Sequence, residues 1–246
     1  MPKAEAVSPE GFRCDGRRPN ELRRIQTEIG GQVGSLGGSG ADGSAYVEQG
    51  NTRCLCLVFG PKEPSGRGSV LHDRATLNVE FSVASFSSGE RKQKHRRDKR
   101  LLEIASIIKS TFEAVVMTTA YPRSEIAIQI HILQFDGGSL HTAVNATTLA
   151  LMNAGIPMKD YVVACSAGFG NGSPILDVNY TEEGLDVPVV TLGITPRSGK
   201  IVLLNLESRL HMDEFERVML LAKDGCTQMY EILDNAVRAS AQSLAK

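Results

Sequence analysis

Positive charge is most concentrated in the run 91–100, RKQKHRRDKR, which holds seven Lys/Arg residues and one Asp. The run leads directly into a predicted helix, where free N–H groups and the helix dipole favour anions. Residues of this type at this place indicate contacts with the phosphate groups of a single-stranded nucleic acid. A solvated surface loop explains the same composition, so both interpretations stay open at this point.

A second candidate is the segment Asp136-Gly137-Gly138-Ser139, which precedes another predicted helix. Two consecutive glycines let the backbone approach a ligand closely, and the Ser139 hydroxyl can donate a hydrogen bond. Such a segment could hold a phosphate group. The alternative is an ordinary strand-to-helix turn.

A third candidate is the segment 177–183, DVNYTEE, in which Asp177 and Glu183 stand at the two ends. Carboxylates placed in this way could hold a divalent metal or act as general acid and base. An acidic surface segment is the alternative. Other motifs fail, because Gly199-Lys200 is followed by Ile201 and no HExxH sequence occurs.

The bulk composition restricts these candidates. The chain has 246 residues, of which 41% are hydrophobic and 22% charged, and its net charge is −1. It is therefore no polycation, and any contact with nucleic acid must come from a local patch. Five irregularly spaced cysteines predict no disulfide framework, and Cys54 and Cys56 are expected to be structural thiols on one side of a strand. We expect an intracellular, reducing compartment, with no signal peptide and no apolar stretch near ~18 residues.

Strands and helices predicted from periodicity must position the candidate residues. After a polar, basic segment 13–24, the first half contains strands at 44–49, 53–59, 76–84 and 125–133 and helices at 101–116 and 140–153. Asp98 is the predicted N-cap of the first helix. The second half contains strands at 161–168, 187–194 and 200–206 and a closing amphipathic helix at 215–236.

This order of elements predicts an α+β protein with two related halves. The predicted division is a disordered N-terminus at 1–10, a first domain at 11–155 and a second domain at 156–246.

Several separated blocks, taken in this order, resemble the RNase PH family over about residues 11–239. The matching blocks are CDGRRPNELR (14–23), ADGSAYVEQGNT (41–52), VFGPKEP (58–64), KRLLEI (99–104), YPRSEIAIQIHILQFDGGS (121–139) and ALMNAGIPMKDYVVACSAG (150–168). The resemblance implies the RNase PH fold, with an S5 domain 2-like first half and a smaller C-terminal βαβα-like half. It also implies a place in the six-member hetero-ring of a eukaryotic RNA exosome.

The same resemblance implies partners and a location. The partners would be other RNase PH-like ring subunits, S1/KH cap proteins, a separate hydrolytic RNase II-type nuclease and single-stranded RNA, with no membrane. The implied location is the nucleus, nucleolus and cytoplasm.

The sequence departs from active relatives at two places. Their phosphate-binding motif resembles Gly-Gly-Thr/Ser-Arg, whereas here Leu140 follows Ser139. Their acidic motif resembles Asp-x-Asp/Glu-x-x-x-Asp, whereas here Asp177 is followed by Asn179 and Glu183. Losing such interactions typically costs several kcal/mol of transition-state stabilisation. The resemblance therefore implies a degenerate phosphate/active site at Ser139, Leu140, Asp177, Asn179 and Glu183, with no catalytic residue, no metal and no cofactor.

The family's basic pair for RNA contact matches Lys99 and Arg100, with Arg96 and Arg97 just upstream. Lost catalytic charge with retained backbone-binding charge predicts a non-catalytic subunit that guides RNA during 3′-to-5′ processing and degradation of ribosomal, messenger and small RNA. One alternative is an active phosphate-dependent 3′-to-5′ exoribonuclease, in which Ser139, Asp177 and Glu183 form a weak site and Lys99, Arg100 or a neighbouring subunit supplies the charge. The other alternative is a pure ring-assembly protein without RNA contact.

Overall fold

Two β-sheets and the helices packed on them make up the computed structural model, which describes residues 7–8, 10–30, 40–64, 71–88, 98–170, 172–185 and 187–244. The α+β class predicted from the order of elements is confirmed. Within the described residues no helix is long and apolar enough to cross a membrane.

The first sheet has the strand order β1-β2-β3-β5-β4. Its strands are β1 (Ile25–Ile29), β2 (Gly43–Gln49), β3 (Thr52–Lys62), β4 (Thr76–Val83) and β5 (Glu125–Gln134). All neighbours are antiparallel except β4 and β5, which run parallel. As predicted, β2 and β3 form a hairpin around Gly50-Asn51, and Cys54 and Cys56 both lie in the core.

Helix α1 (Lys99–Val115) makes the crossover that a parallel β4–β5 pair requires. It buries Ala105, Ile108, Phe112 and Val115 at helical spacing. The Ala75 N–H, just before β4, donates to the Thr118 carbonyl in a short 3₁₀ helix (Thr118–Ala120) that follows α1. Because the end of α1 lies beside the start of β4, α1 runs antiparallel to β4.

The second sheet is entirely antiparallel, in the order β7-β6-β8-β9. Its strands are β6 (Val163–Gly170), β7 (Ser173–Leu176), β8 (Val189–Thr195) and β9 (Lys200–Leu206). Helix α3 (Tyr180–Glu183) follows β7, and helix α4 (Met212–Leu244) closes the chain. Helix α4 packs on β6, β7 and β8 through its buried face, made of Val218, Ala222, Cys226, Met229 and Leu233.

Helix α2 (Ser139–Asn153) lies between the two sheets and contacts β2 and β3 on one side and β6 and β8 on the other. Every residue from 140 to 151 is buried, as expected of a helix covered all round. The Asn145 amide binds the Ala164 backbone twice, donating to its carbonyl and accepting from its N–H, both at 2.9 Å. These bonds fix α2, and hence the turn before it, against the second sheet.

Within the described residues, the structure adds four short elements to those predicted from periodicity, namely β1, β7, α3 and the 3₁₀ helix Thr118–Ala120. Each has five residues or fewer, which is too short for a periodic pattern to stand out. The predicted disordered N-terminus lies mostly outside the described residues, although Val7 forms an isolated antiparallel bridge with Arg13. The domain boundary at 155/156 stays a prediction.

Candidate functional site

The turn before α2 faces the segment between β7 and α3, so the structure brings two of the predicted motifs together. The Gly138 N–H donates to Oε1 of Glu183 over 3.0 Å. A Cβ built on Gly137 would lie 2.7 Å from the Tyr180 nitrogen, which shows that the two backbones touch. Asp136–Ser139 and 177–183 therefore form one site, although they lie about forty residues apart in sequence.

Asp177 lies at the centre of this site in a fully buried ion pair with Arg23. Its Oδ1 accepts from Nε and Nη2 of Arg23 at 3.0 and 2.8 Å, and its Oδ2 accepts from the Arg23 backbone N–H at 2.9 Å. Burial by itself raises the pKa of Asp177, but the Arg23 charge, the neighbouring His141 and the hydrogen bonds from Arg23 outweigh it and hold that pKa well below its ordinary value. Asp177 therefore stays ionised near neutral pH.

Two arginines from the N-terminal segment hold the acidic segment in place. Arg23 Nη1 also donates to the Asp136 carbonyl at 2.7 Å, which joins the turn before α2 to Asp177. Arg13 makes a second buried ion pair, with Glu182, and its Nη2 donates to the Asp177 carbonyl at 3.0 Å. Neither role of these arginines was predicted from the sequence. The available signal was a basic segment at 13–24 and an acidic one at 177–183, but nothing in the sequence shows that they meet.

His141 is fully buried beside this ion pair. Its Nε2 lies 3.4 Å from Oδ1 of Asp177, but this contact is not a hydrogen bond, and neither ring nitrogen has a hydrogen-bond partner among the described residues. A Cβ on Gly138 would lie 2.0 Å from Cε1 of His141, and Gly138 has a φ of +66°. Only glycine fits there, so His141 and the turn before α2 are packed as one unit.

The predicted phosphate-site residues are arranged unfavourably for an anion. Leu140 is 8% exposed and belongs to the hydrophobic core, while Ser139 is half-buried. Glu183 places its own carboxylate on the Gly138 N–H at the start of α2. Burial raises the pKa of Glu183, and the hydrogen bond from Gly138 opposes this only in part.

Asn179 has a structural role at the N-cap of α3. Its side-chain oxygen accepts from the Glu182 N–H at 2.9 Å, and its own N–H donates to Oε2 of Glu182 at 3.0 Å, which is a capping box. The Asn179 amide nitrogen donates to Oδ2 of Asp15 at 3.4 Å. Over the part of the chain that the structure describes, no group of three or more His, Cys, Asp or Glu side chains is arranged to hold a metal ion.

The predicted RNA-contact residues lie in the first turn of α1. Lys99 and Arg100 are both exposed, and the predicted N-cap Asp98 accepts from the Arg100 N–H at 3.1 Å. Arg96 and Arg97 lie outside the described residues. Because α1 runs antiparallel to β4, Lys99 and Arg100 lie towards the carboxyl ends of β4 and β5, which is also where the turn before α2 begins.

Family models match both halves of the chain. The model described as "3′ exoribonuclease family, domain 1" matches residues 21–157, and the model for domain 2 of the same family matches residues 160–225. Together they cover more than half of the sequence and include the turn before α2 and the acidic segment.

Curated relatives match along nearly the whole chain. The mouse protein "Exosome complex component RRP41" is 44% identical over 98% of this chain and 97% of its own length. "Exosome complex component SKI6" of Saccharomyces cerevisiae is 40% identical over 98% of this chain and 96% of its own length.

Two solved structures share the fold, each with a TM-score of 0.76. Rice Rrp46 is 24% identical and covers 90% of this chain and 98% of its own, and an Archaeoglobus fulgidus exosome with RNA bound to the active site is 19% identical over 90% and 92%.

Proposed function

This chain belongs to the 3′ exoribonuclease family of RNase PH proteins, and we propose that it is a non-catalytic ring subunit of an RNA exosome that contacts and guides single-stranded RNA. The mouse relative RRP41 and the yeast relative SKI6 are both exosome complex components, which supports this complex for the chain. The proposed partners are other RNase PH-like chains of a six-member ring, S1/KH cap proteins and a separate hydrolytic nuclease of RNase II type.

The contact between Glu183 and Gly138 carries the proposal that the chain is non-catalytic. A phosphorolytic enzyme must hold inorganic phosphate beside an anionic RNA backbone, which requires positive charge and free N–H groups. Here a carboxylate already accepts the Gly138 N–H at 3.0 Å. At an effective dielectric of ~20, a phosphate charge ~4 Å from an ionised carboxylate would be repelled by about 4 kcal/mol.

The neighbouring residues support the same proposal. Leu140, in the place of the phosphate-binding Arg, is packed into the core and brings no charge. The Asn179 oxygen is used in capping α3, and a neutral amide does not ionise near pH 7, so it cannot act as a general acid or base. Asp177 is held ionised by Arg23, so it cannot supply a proton near neutral pH.

The exposed basic pair supports RNA contact. Lys99 and Arg100 are exposed at the N-terminus of α1, where the helix dipole adds to the attraction of their charges for phosphate. Two phosphate contacts on single-stranded RNA predict that log K falls with log salt with a slope of about −1.4.

The test is an RNA assay on the full chain assembled with its ring partners, with and without inorganic phosphate. We expect bound RNA and no nucleoside diphosphates. The variant Lys99→Glu/Arg100→Glu should weaken RNA binding. Arg217→Glu/Lys223→Glu, which reverses two exposed charges on α4, is the matched control and should not.

Three results contradict the proposal in different ways. Nucleoside diphosphates that appear only with phosphate would identify an active phosphorolytic exoribonuclease. RNA binding and transit that are equal in the two charge-reversal variants would identify a ring-assembly protein without RNA contact. Failure of the chain to assemble with RNase PH-like partners would show that it is not a ring subunit.

A further inference from the structure

Three aromatic side chains lie near the carboxyl ends of β4 and β5, and none takes part in the ion pairs described above. Phe86 follows β4 and is 75% exposed, and Tyr180 at the start of α3 is 60% exposed. Phe135 follows β5, is half-buried, and meets the Tyr180 ring edge-on with centroids 5.7 Å apart. We call Phe86, Phe135 and Tyr180 the aromatic edge.

Phe86 lies in a turn after β4 whose backbone is held by two hydrogen bonds of the next residue, Ser87. The Ser87 N–H donates to the Ala84 carbonyl at 3.0 Å, and the Ser87 carbonyl accepts from the Phe135 N–H at 3.0 Å. Ser87 itself is buried. The backbone next to Phe86 is therefore bonded both to the residue after β4 and to Phe135 after β5, while the Phe86 side chain is exposed.

Tyr180 is held equally firmly. It is the first residue of α3, whose N-terminus is closed by the Asn179–Glu182 capping box, and Glu182 is in turn bound by Arg13. The Tyr180 backbone also touches Gly137 in the turn before α2. A tyrosine on a fixed backbone presents a large flat surface with only two side-chain torsions to order, which lowers the entropy cost of binding.

Positive charge lies at the same end of the first sheet. Helix α1 has 17 residues and runs antiparallel to β4, which has eight. Both are about 26 Å long, so the start of α1 is level with the end of β4. Lys99 and Arg100 are therefore exposed at the end where Phe86 emerges.

Charge on the other side of the aromatic edge has the opposite sign. Glu183 lies one helical turn from Tyr180 and occupies the Gly138 N–H. A polyanion is therefore attracted by α1 and repelled near α3, so the part of an RNA nearest Tyr180 should be a base and not a phosphate.

We infer that the aromatic edge stacks the bases of single-stranded RNA whose phosphates lie on Lys99 and Arg100. Flat aromatic surface beside positive charge is the combination that binds single strands without sequence preference, because every base has a π-face. The inference rests on the proposed RNA-guiding function and adds to it a base-contacting surface outside the degenerate phosphate site.

Tryptophan fluorescence gives a direct test, because the chain contains no Trp. The full-length variant Tyr180→Trp has one fluorophore on the aromatic edge. A single-stranded oligouridine should quench its emission, whereas an abasic oligonucleotide of the same length and charge should not. Tyr180→Ala should bind oligouridine about tenfold more weakly than wild type, and Tyr180→Phe should bind as wild type does.

Leu220 provides a matched control. It is 61% exposed on α4 and lies with Ile194 and Gly199 at the β8–β9 turn. The acidic segment lies at the other end of β8, where Val178 approaches Gly168 and Gly168 pairs with Val189. Leu220→Trp should not be quenched, and Leu220→Ala should keep wild-type affinity.

Two outcomes would overturn the stacking inference and leave the proposed function intact. In the first, Tyr180→Ala and Phe86→Ala bind oligouridine normally while Lys99→Glu/Arg100→Glu does not, so that only phosphates are contacted. In the second, the aromatic variants bind RNA normally but lose a ring partner, so that the surface is a protein interface. If the wild-type chain and its ring bind no RNA, both the inference and the RNA-guiding function fail.

Discussion

Arg23 and Asp177 are 154 residues apart in sequence, yet they form a buried ion pair in which Nη2 lies 2.8 Å from Oδ1. The pair joins the segment before the first sheet to the loop after β7. Because Arg23 also binds the Asp136 carbonyl, one guanidinium holds three parts of the chain together at the candidate site.

Removing Arg23 should therefore be strongly destabilising. Arg23→Met leaves the Asp177 carboxylate buried without its partner, and we expect a loss of about 3–5 kcal/mol in the free energy of unfolding, measured with urea. The control is Arg238→Met, which breaks an exposed ion pair with Asp234 and should change stability little. Equal effects of the two substitutions would show that the buried pair is not a major constraint.

Low pH should lower the free energy of unfolding, because it protonates Asp177. Its pKa is lower in the folded protein than in the unfolded chain, so its stabilising effect is complete above the unfolded value of about 3.9 and is lost as pH falls towards the folded value. We expect the free energy of unfolding to drop below about pH 4 in the wild type. The drop should be smaller in Arg23→Met, because this substitution removes the charge that lowers the Asp177 pKa. Parallel curves would contradict this assignment.

Glu183 should have the opposite effect on stability, since its contribution to the free energy of unfolding falls as pH rises. Its pKa is raised in the folded protein, so it favours folding below the unfolded value of about 4.3 and this contribution is lost as pH rises through the folded value. Glu183→Gln keeps an oxygen for the Gly138 N–H but removes the charge. Relative to wild type it should be more stable at pH 7 than at pH 4, as measured by urea unfolding at both values. A difference that is independent of pH would contradict the prediction.

Gly138→Ala tests the packing of the turn against His141. The new Cβ would lie 2.0 Å from Cε1 of the buried imidazole, and the residue would also carry the strain of a positive φ. Gly155→Ala is the matched control, since Gly155 has a φ of +71° and no atom near the position of a Cβ. The control should lose about 1–2 kcal/mol from backbone strain, and Gly138→Ala about 1–3 kcal/mol more from the clash. Similar losses would mean that His141 moves aside freely.

Asn179→Asp tests whether restoring one acid is enough to give phosphate-dependent activity, against the proposal that the subunit is non-catalytic. Aspartate caps helices as well as asparagine does, so the variant should keep α3, and it loses the 3.4 Å hydrogen bond from the Asn179 amide nitrogen to Asp15. With phosphate present it should still release no nucleoside diphosphates. Leu140 brings no positive charge to bind the attacking phosphate, and Glu183 still occupies the Gly138 N–H. Phosphate-dependent products from this single variant would show that the acid was the sole defect.

The long elements could be predicted from the sequence because their signals are local. Helix α1 repeats apolar residues at helical spacing, and the β2–β3 hairpin has alternating strands on either side of Gly50-Asn51. Strand β7 and helix α3 have four residues each and carry no such signal. They are held by contacts with distant parts of the chain, such as the Leu176 N–H on the Pro19 carbonyl and Arg13 on Glu182.

The sequence by itself determined the α+β class, the family, and the residue types at the candidate site, including Leu140, Asn179 and the basic pair Lys99/Arg100. Only the tertiary structure decided that Arg13 and Arg23 are buried ligands of the acidic segment, and that Glu183 covers the start of α2. Only it showed that Phe86 is exposed after β4 and that the exposed Tyr180 ring meets Phe135 after β5. The physical reason is that periodicity and turn chemistry act over a few residues, whereas burial and ion pairing depend on distances in space between segments more than a hundred residues apart.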